Sequence, residues 1–298
     1  MFFILINRKI VLSLRTFLKY FDNQHFPIMS KKKVLFVTQE LNPYTEISML
    51  SDLARRIPHF AAEEGFELRV LMPKFGIINE RRHRLHEVVR LSGMNIIVDD
   101  EDYPLIIKVA SLPGARLQVY FLDNEEFFKR KAVFVDDEKV DFIDNQERLV
   151  FFCKGIMETV KKFGWSPDIV HLHGQITSLI PLYMKKAYKN DPVFQDAKII
   201  YSVYNNELGH SFDSKFLNIA AINDLEVEDL DVYKDDGGIN LDLGAIKFAD
   251  GIISGNESSN EIVTKYGLDL EMPIVTYDDD IDASAKATVE FYKTILEE

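Results

Sequence analysis

Short apolar runs alternate with stretches of helical periodicity along most of the chain. Runs rich in β-branched and aromatic residues predict buried strands at 34–38, 66–72, 168–173, 198–203 and 251–254. Apolar residues at helical spacing predict a helix from Ile47 with Pro58 just beyond it, and helices at 145–163, 178–186, 241–249 and 258–266. Strands that are apolar on both faces and alternate with helices are typical of a doubly wound, mostly parallel α/β sheet.

Some segments depart from this alternation. Residues 106–111 and 117–122 predict two strands joined across Pro113-Gly114. Acidic, loop-like stretches lie at 98–103, 134–144 and 224–236. We interpret them as solvated surface, because their carboxylates show no metal-ligand spacing. The Gly237-Gly238 pair before a helical pattern is either a turn or a place where backbone amides bind an anion.

The strand at 168–173 ends in polar residues, which makes its carboxyl end a candidate functional site. In an open α/β sheet, ligands bind at the carboxyl ends of the strands. His171 and His173 are two residues apart, so both side chains point to the same side of the strand. One histidine could contact a ligand while the other holds it in place. The alternative is a pair of strand-end histidines that hydrogen-bond to neighbouring backbone.

Composition narrows the class of protein. The chain has 298 residues, 47% of them hydrophobic, which suffices for one large domain or two small ones. A formal net charge of −13 argues against a nucleic-acid partner. The only cysteine, Cys153, cannot form an intrachain disulfide, which fits a cytoplasmic protein, and its helical context predicts a small buried apolar role. No apolar run approaches the ~18 residues of a membrane span, so we expect no membrane partner.

The two ends of the chain differ from the central domain. Residues 1–28 combine the apolar run 2–6 with basic side chains and lack signal-peptide features. We expect them to be a non-structural extension, with the true start at Met29; a transit-like or membrane-touching segment is the alternative. We expect a folded domain at 31–276, an acidic linker at 277–283 and an amphipathic closing helix at 284–297.

Five segments resemble one known family when they are taken in order. These segments read VLFVTQELNP at 34–43, DNQER at 144–148, PDIVHLHGQITSLIP at 167–181, YSVYNNELG at 201–209 and GINLDLGAIKFADGIISGN at 238–256. Together they are similar to the bacterial glycogen synthases and plant starch synthases, over about residues 33–266. The resemblance implies the N-terminal, acceptor-side half of a GT-B glycosyltransferase fold, a Rossmann-like domain closed by a C-terminal helix.

The resemblance also implies candidate site residues. Remnants of the family's catalytic site are His171, His173 and Asn205. Substrate-binding positions are Glu40, Tyr44, Thr45, His173, Thr177, Tyr204 and Asn205. We expect no cofactor and no metal, since no dinucleotide, Walker, nucleophile-elbow or metal-cluster motif is present.

Several family positions are replaced in this chain. Thr45 stands where the family's phosphate-binding loop has lysine, and Ile47 and Ser48 stand where it has glycines. Glu46 would repel a diphosphate. Later in the chain, Gly174 stands where the family has an aspartate, and Ile176 and Tyr204 stand where it has histidines.

The family's activity is glucosyl transfer from nucleotide-glucose to an α-1,4-glucan. The resemblance does not extend to the donor-binding domain, so we expect a truncated enzyme that is impaired or inactive alone. One alternative is a non-catalytic pseudoenzyme that binds glucan, or binds a protein partner or itself through the exposed groove. Another is half of a split glycosyltransferase. The expected ligands are α-glucan or nucleotide-glucose.

Overall fold

A computed structural model describes residues 31–204, 208, 212–235 and 238–297. Its strands are β1 (Lys33–Thr38), β2 (Glu67–Pro73), β3 (His86–Glu87), β4 (Met94–Val98), β5 (Glu101–Ser111), β6 (Gln118–Asp123), β7 (Ile169–His173), β8 (Lys198–Val203), β9 (Lys234–Asp235), β10 (Gly238–Ile239), β11 (Gly251–Ser254) and β12 (Ile274–Val275). Its helices are α1 (Leu50–Glu63), α2 (Glu80–His83), α3 (Glu125–Phe128), α4 (Asn145–Phe163), α5 (Ile180–Leu182), α6 (Ser214–Ala220), α7 (Leu241–Ile246), α8 (Asn260–Leu270) and α9 (Ile281–Glu297).

Ten strands form one twisted sheet through the described part of the chain. Their order is β12-β11-β8-β7-β1-β2-β6-β5-β3, with β4 paired to β5. Every pairing from β12 to β6 is parallel, whereas β3, β4 and β6 each pair with β5 in antiparallel fashion. β9 and β10 form a separate two-stranded ribbon. The predicted mostly parallel α/β sheet is confirmed.

The central strands are buried on both faces, as their continuous apolar runs require. All five residues of β7 and all four of β11 are buried. The hairpin across Pro113-Gly114 is also confirmed, with β5 and β6 paired from Ile106↔Asp123 to Ser111↔Gln118. Burial of these strands against helices on both sides provides the hydrophobic stabilisation of the domain.

Three sequence-based expectations about elements are wrong. Residues 98–103 are not a loop: β4 and β5 pair there, and the left-handed turn between them consists of Asp99 and Asp100, with φ of 50° and 64°. α1 does not end before Pro58, because burial of Ile57, Pro58 and Ala61 outweighs the missing backbone hydrogen bond. The predicted helix at 178–186 is split: α5 covers only Ile180–Leu182, and a π turn follows at Tyr183–Ala187.

α9 closes one face of the domain. It begins at Ile281, three residues earlier than the expected 284, because the Asp280 carboxylate accepts the backbone N–H groups of Asp282 and Ala283. α9 packs along α1 and also reaches the sheet at Gly251. A side chain at this position would place its Cβ atom only 2.7 Å from the Phe291 ring. Only glycine allows this close approach of helix and strand.

Candidate functional site

The predicted site residues are positioned by three adjacent parallel strands. β7 lies between β1 and β8, and the register aligns Thr38, His173 and Ser202 side by side. The chain segments that leave these strands carry Glu40 after β1 and Tyr204 after β8. Because parallel strands end at the same edge, residues far apart in sequence meet there.

His171 and His173 are both fully buried and form the centre of a polar network. His171 Nδ1 lies 2.6 Å from the Tyr292 hydroxyl, and its Nε2 lies 2.8 Å from Ser202 Oγ. His173 Nδ1 lies 2.8 Å from the Tyr204 hydroxyl, and its Nε2 lies 3.3 Å from His171 Nδ1. Each imidazole therefore uses both nitrogens within the protein.

This network differs from both sequence-based alternatives for the histidine pair. Neither ring is exposed, so neither meets a ligand directly in this conformation. Their partners are side-chain hydroxyls and each other, not neighbouring backbone groups. Burial lowers the pKa of His173 to about 3 and the pKa of His171 well below its usual value. Both rings are therefore neutral at pH 7.

Glu40 binds the backbone of the loop that leads into α1. Its Oε2 accepts hydrogen bonds from the backbone N–H groups of Ile47, at 3.2 Å, and Ser48, at 2.9 Å. The Ser48 hydroxyl also donates to this carboxylate, at 3.2 Å. Burial raises the pKa of Glu40, and these hydrogen bonds oppose the rise. A carboxylate supplied by the chain itself thus occupies two amides of the loop before α1, while Glu46 is exposed.

Tyr44 and Thr45 are held by the same segment and are both buried. The Tyr44 hydroxyl donates to the Ser111 carbonyl at 3.0 Å, and burial raises the pKa of this phenol to about 12. Thr45 Oγ1 accepts the backbone N–H of Leu41 at 2.9 Å. These contacts fix the turn between β1 and α1 rather than presenting either side chain to solvent.

The turn after β7 explains two of the departures from the family pattern. Gly174 has a φ of 83°, and a Cβ atom there would lie 2.8 Å from the Gln39 side chain, so only glycine fits. Thr177 Oγ1 donates to the Gly174 carbonyl at 2.8 Å and stabilises the turn. Ile176 is fully buried, and its carbonyl accepts from Cys153 Sγ at 3.0 Å. The buried apolar role of Cys153 is confirmed, and burial raises its thiol pKa.

Three predicted features lie wholly or partly outside the described residues. They are the extension at residues 1–28, Asn205, and Gly237 of the glycine pair. Gly238 itself lies in the β9–β10 ribbon, with a φ of 133°.

Sequence reasoning missed a polar cluster behind the site. Asp242 accepts hydrogen bonds from the Tyr201 hydroxyl at 2.7 Å and from Gln175 Nε2 at 2.6 Å. Burial raises the pKa of the Asp242 carboxyl, although both donors favour its charged form. Asp242 is polar within an otherwise apolar helical pattern, which is the one signal in the sequence that could have drawn attention to it.

Neither a metal cluster nor a membrane helix is found where the structure is described. Across residues 31–204, 208, 212–235 and 238–297, no three His, Cys, Asp or Glu side chains are arranged to hold a metal ion. Over the same ranges, no helix is both long enough and apolar enough to cross a membrane.

Comparison with known proteins places this architecture in a family. Residues 33–274 match the family described as "Starch synthase catalytic domain". A glycogen synthase of Chlorobium limicola is 42% identical over 174 residues, covering 58% of this chain and 36% of that protein. A glycogen synthase of Chlorobaculum tepidum is 40% identical over 220 residues, covering 73% of this chain and 44% of that protein.

A solved structure has the same fold. It is the catalytic domain of Starch Synthase IV from Arabidopsis thaliana bound to ADP and acarbose, with a TM-score of 0.69 and 18% identity. The similarity covers 86% of this chain and 53% of that one. The sheet and this likeness define the fold as a Rossmann-like α/β domain.

The chain belongs to the starch synthase catalytic domain family. The resemblance noted in the sequence is thereby confirmed. The chain spans well under half the length of the two curated relatives, 36% and 44%.

Proposed function

We propose that this domain forms the acceptor side of a glycogen or starch synthase-like glucosyltransferase. In this role it binds the non-reducing end of an α-1,4-glucan beside nucleotide-glucose. The proposal is supported by family membership across residues 33–274 and by relatives named glycogen synthase. The observation that carries it is the convergence of the family's strand-end positions, Glu40, His173 and Tyr204, at one edge of the sheet.

Glucosyl transfer makes two demands on such a domain. The acceptor hydroxyl must be held in line with the bond that breaks, and the leaving diphosphate needs positive charge or free amides. The His173–Tyr204 pair is buried, so it would serve the first demand indirectly, by fixing the positions of the ends of β7 and β8.

The second demand is poorly met by the loop before α1. Glu40 already accepts from two of its amides, and Glu46 adds an exposed negative charge. We infer that this loop contributes little to binding of the donor, so that the domain favours glucan over nucleotide-glucose. Impaired turnover by the chain alone follows from this inference.

Affinity electrophoresis tests the acceptor assignment directly. The full chain should migrate more slowly in a native gel that contains glycogen than in one that contains dextran, because only the former offers α-1,4-linked chain ends. Asn205→Ala, at a predicted site position, should abolish the retardation. Asn95→Ala, an exposed substitution on β4, should not change it. Equal mobility of the unmodified chain in both gels would contradict the proposal.

A further inference from the structure

A pair of arginines on α1 lines two neighbouring cavities outside the strand-end residues described above. The larger cavity, of about 520 Å³, is lined by Asn42, Asp52, Arg55, Arg56 and residues 280–282. The smaller, of about 120 Å³, is lined by Arg55, Arg56, His59 and residues 112–115. We call the two cavities together the arginine cleft. Arg55 and Arg56 belong to both, so a ligand that spans the cleft must contact them.

Arg55 is held in place without being neutralised. Its Nη1 donates to Asn42 Oδ1 at 3.2 Å, and its Nη2 donates to the Pro113 carbonyl at 3.3 Å. Both acceptors are uncharged, and no carboxylate of the described residues forms an ion pair with Arg55. A guanidinium has five N–H donors, so several remain for a ligand. Although the chain has a net charge of −13, the unpaired Arg55 guanidinium can bind an anion at this position.

The smaller cavity has no carboxylate among the described residues that line it. His59 follows Arg55 by one helical turn and lines the same cavity, and its Nε2 lies 3.5 Å from Glu63 Oε1. The opposite wall is the hairpin turn at Gly114, which has a φ of 78° and no heavy atom within 4 Å of its Cβ position. The space is therefore open at the turn, and its size suits a single phosphate group.

The larger cavity has a different chemistry. Asn42 Nδ2 donates to Asp52 Oδ1 at 2.8 Å, and Arg56 Nε contacts Asp282 Oδ1 at 3.1 Å. These pairs leave other carboxylate oxygens that accept hydrogen bonds and would repel an anion. Uncharged hydroxyl groups are the complementary ligand atoms here.

We propose that the arginine cleft binds a sugar phosphate. The phosphate lies in the smaller cavity against Arg55 and His59, and the sugar hydroxyls lie in the larger one near Asp52 and Asp282. This assignment follows from the change from a lining without carboxylates to an acidic lining on the two sides of Arg55 and Arg56. It does not depend on the glucan or nucleotide-glucose proposal.

Calorimetric titration of the full chain with glucose 1-phosphate, glucose and inorganic phosphate tests the assignment. We expect glucose 1-phosphate to bind about tenfold more tightly than either of the other two, because only it satisfies both sides of the cleft. Arg55→Gln should weaken its binding by about tenfold, and His59→Gln should weaken it by a smaller factor.

The control is Arg81→Gln, an exposed arginine on α2. It should leave the affinity unchanged. Equal affinities for phosphate and glucose 1-phosphate would overturn the sugar phosphate assignment. Binding that survives both Arg55→Gln and His59→Gln would place the ligand elsewhere and overturn the site. Thermal melting of each variant shows that it is folded.

Discussion

Glu46 is the residue at which this chain most clearly opposes a nucleotide-sugar. It is exposed at the loop before α1, and a donor diphosphate would meet its negative charge. Glu46→Lys replaces repulsion by attraction, and each pair of unit charges at 4 Å is worth about 1 kcal/mol in water. We therefore expect the affinity for ADP-glucose, measured by calorimetry at low salt, to rise roughly tenfold.

The matched control for Glu46→Lys is Glu87→Lys, an exposed charge reversal on β3. It changes the net charge by the same amount and should leave the affinity for ADP-glucose unchanged. An equal gain in both variants would indicate long-range attraction only, and no gain in either would show that the loop lies outside the donor site.

The buried histidine pair should make the protein sensitive to mild acid. Burial places the pKa of His173 at about 3, and the pKa of His171 well below its ordinary value of 6.5. The unfolded chain therefore binds more protons than the native state as pH falls below about 6.5. The free energy of unfolding should decrease with falling pH, with a slope that is about 0.7 kcal/mol per pH unit for each histidine near pH 6.5 and approaches about 1.4 at lower pH.

Urea unfolding between pH 7.5 and 5.5 measures this slope. The window extends about one pH unit on either side of the ordinary histidine pKa. His173→Gln removes one of the two buried histidines, so it should reduce the pH dependence of the free energy of unfolding by the contribution of one histidine. His86→Gln, at an exposed position, should leave it unchanged. A pH-independent free energy of unfolding in this range would contradict the neutral buried pair.

Residue-level predictions from the sequence were limited by contacts that local pattern does not encode. The two histidines were correctly placed at the end of a buried strand. Their partner Tyr292 comes from α9, 121 positions later, and no periodicity could reveal that pairing. The Glu40 carboxylate likewise reaches amides seven and eight residues ahead, which depends on how the intervening loop turns.

At the scale of elements, α9 is tied to the sheet through one hydrogen bond in an apolar interface. Tyr292 is fully buried, and its hydroxyl is a partner of His171. Tyr292→Phe leaves His171 Nδ1 without this partner, so we expect the free energy of unfolding to fall by roughly 1–3 kcal/mol. Thermal or urea unfolding measures the loss.

Tyr277 provides an internal comparison for that substitution. It is also buried, and its hydroxyl has no hydrogen-bond partner within the described structure. Tyr277→Phe should therefore leave stability unchanged or raise it slightly. A loss as large as that of Tyr292→Phe would mean that the histidine contact is not what anchors α9.

Elements with strong periodicity were predicted with the observed bounds. The strands at 198–203 and 251–254 and the helix at 145–163 are examples. Errors arose where polar residues form regular structure. The acidic segment at 98–103 pairs as strands because the flanking parts of β4 and β5 bury alternate side chains, such as Ile96 and Leu105. α9 begins early because an aspartate caps it. Composition alone does not distinguish such segments from loops.

For the molecule as a whole, we propose that this domain recognises the acceptor rather than the donor. The fold class and family were evident from ordered motifs, whereas the hydrogen bonds from the loop before α1 to Glu40 required the structure. Both Glu40 and Glu46 place negative charge at that loop, and the chain as a whole carries a net charge of −13. This negative charge does not repel a glucan, because a glucan is uncharged.

The most direct test is a parallel calorimetric titration of the full chain with maltoheptaose, ADP-glucose and UDP-glucose. The account predicts saturable binding of maltoheptaose and at least tenfold weaker binding of both nucleotide-sugars, about 1.4 kcal/mol or more in free energy. Tighter binding of either nucleotide-sugar than of maltoheptaose would contradict it.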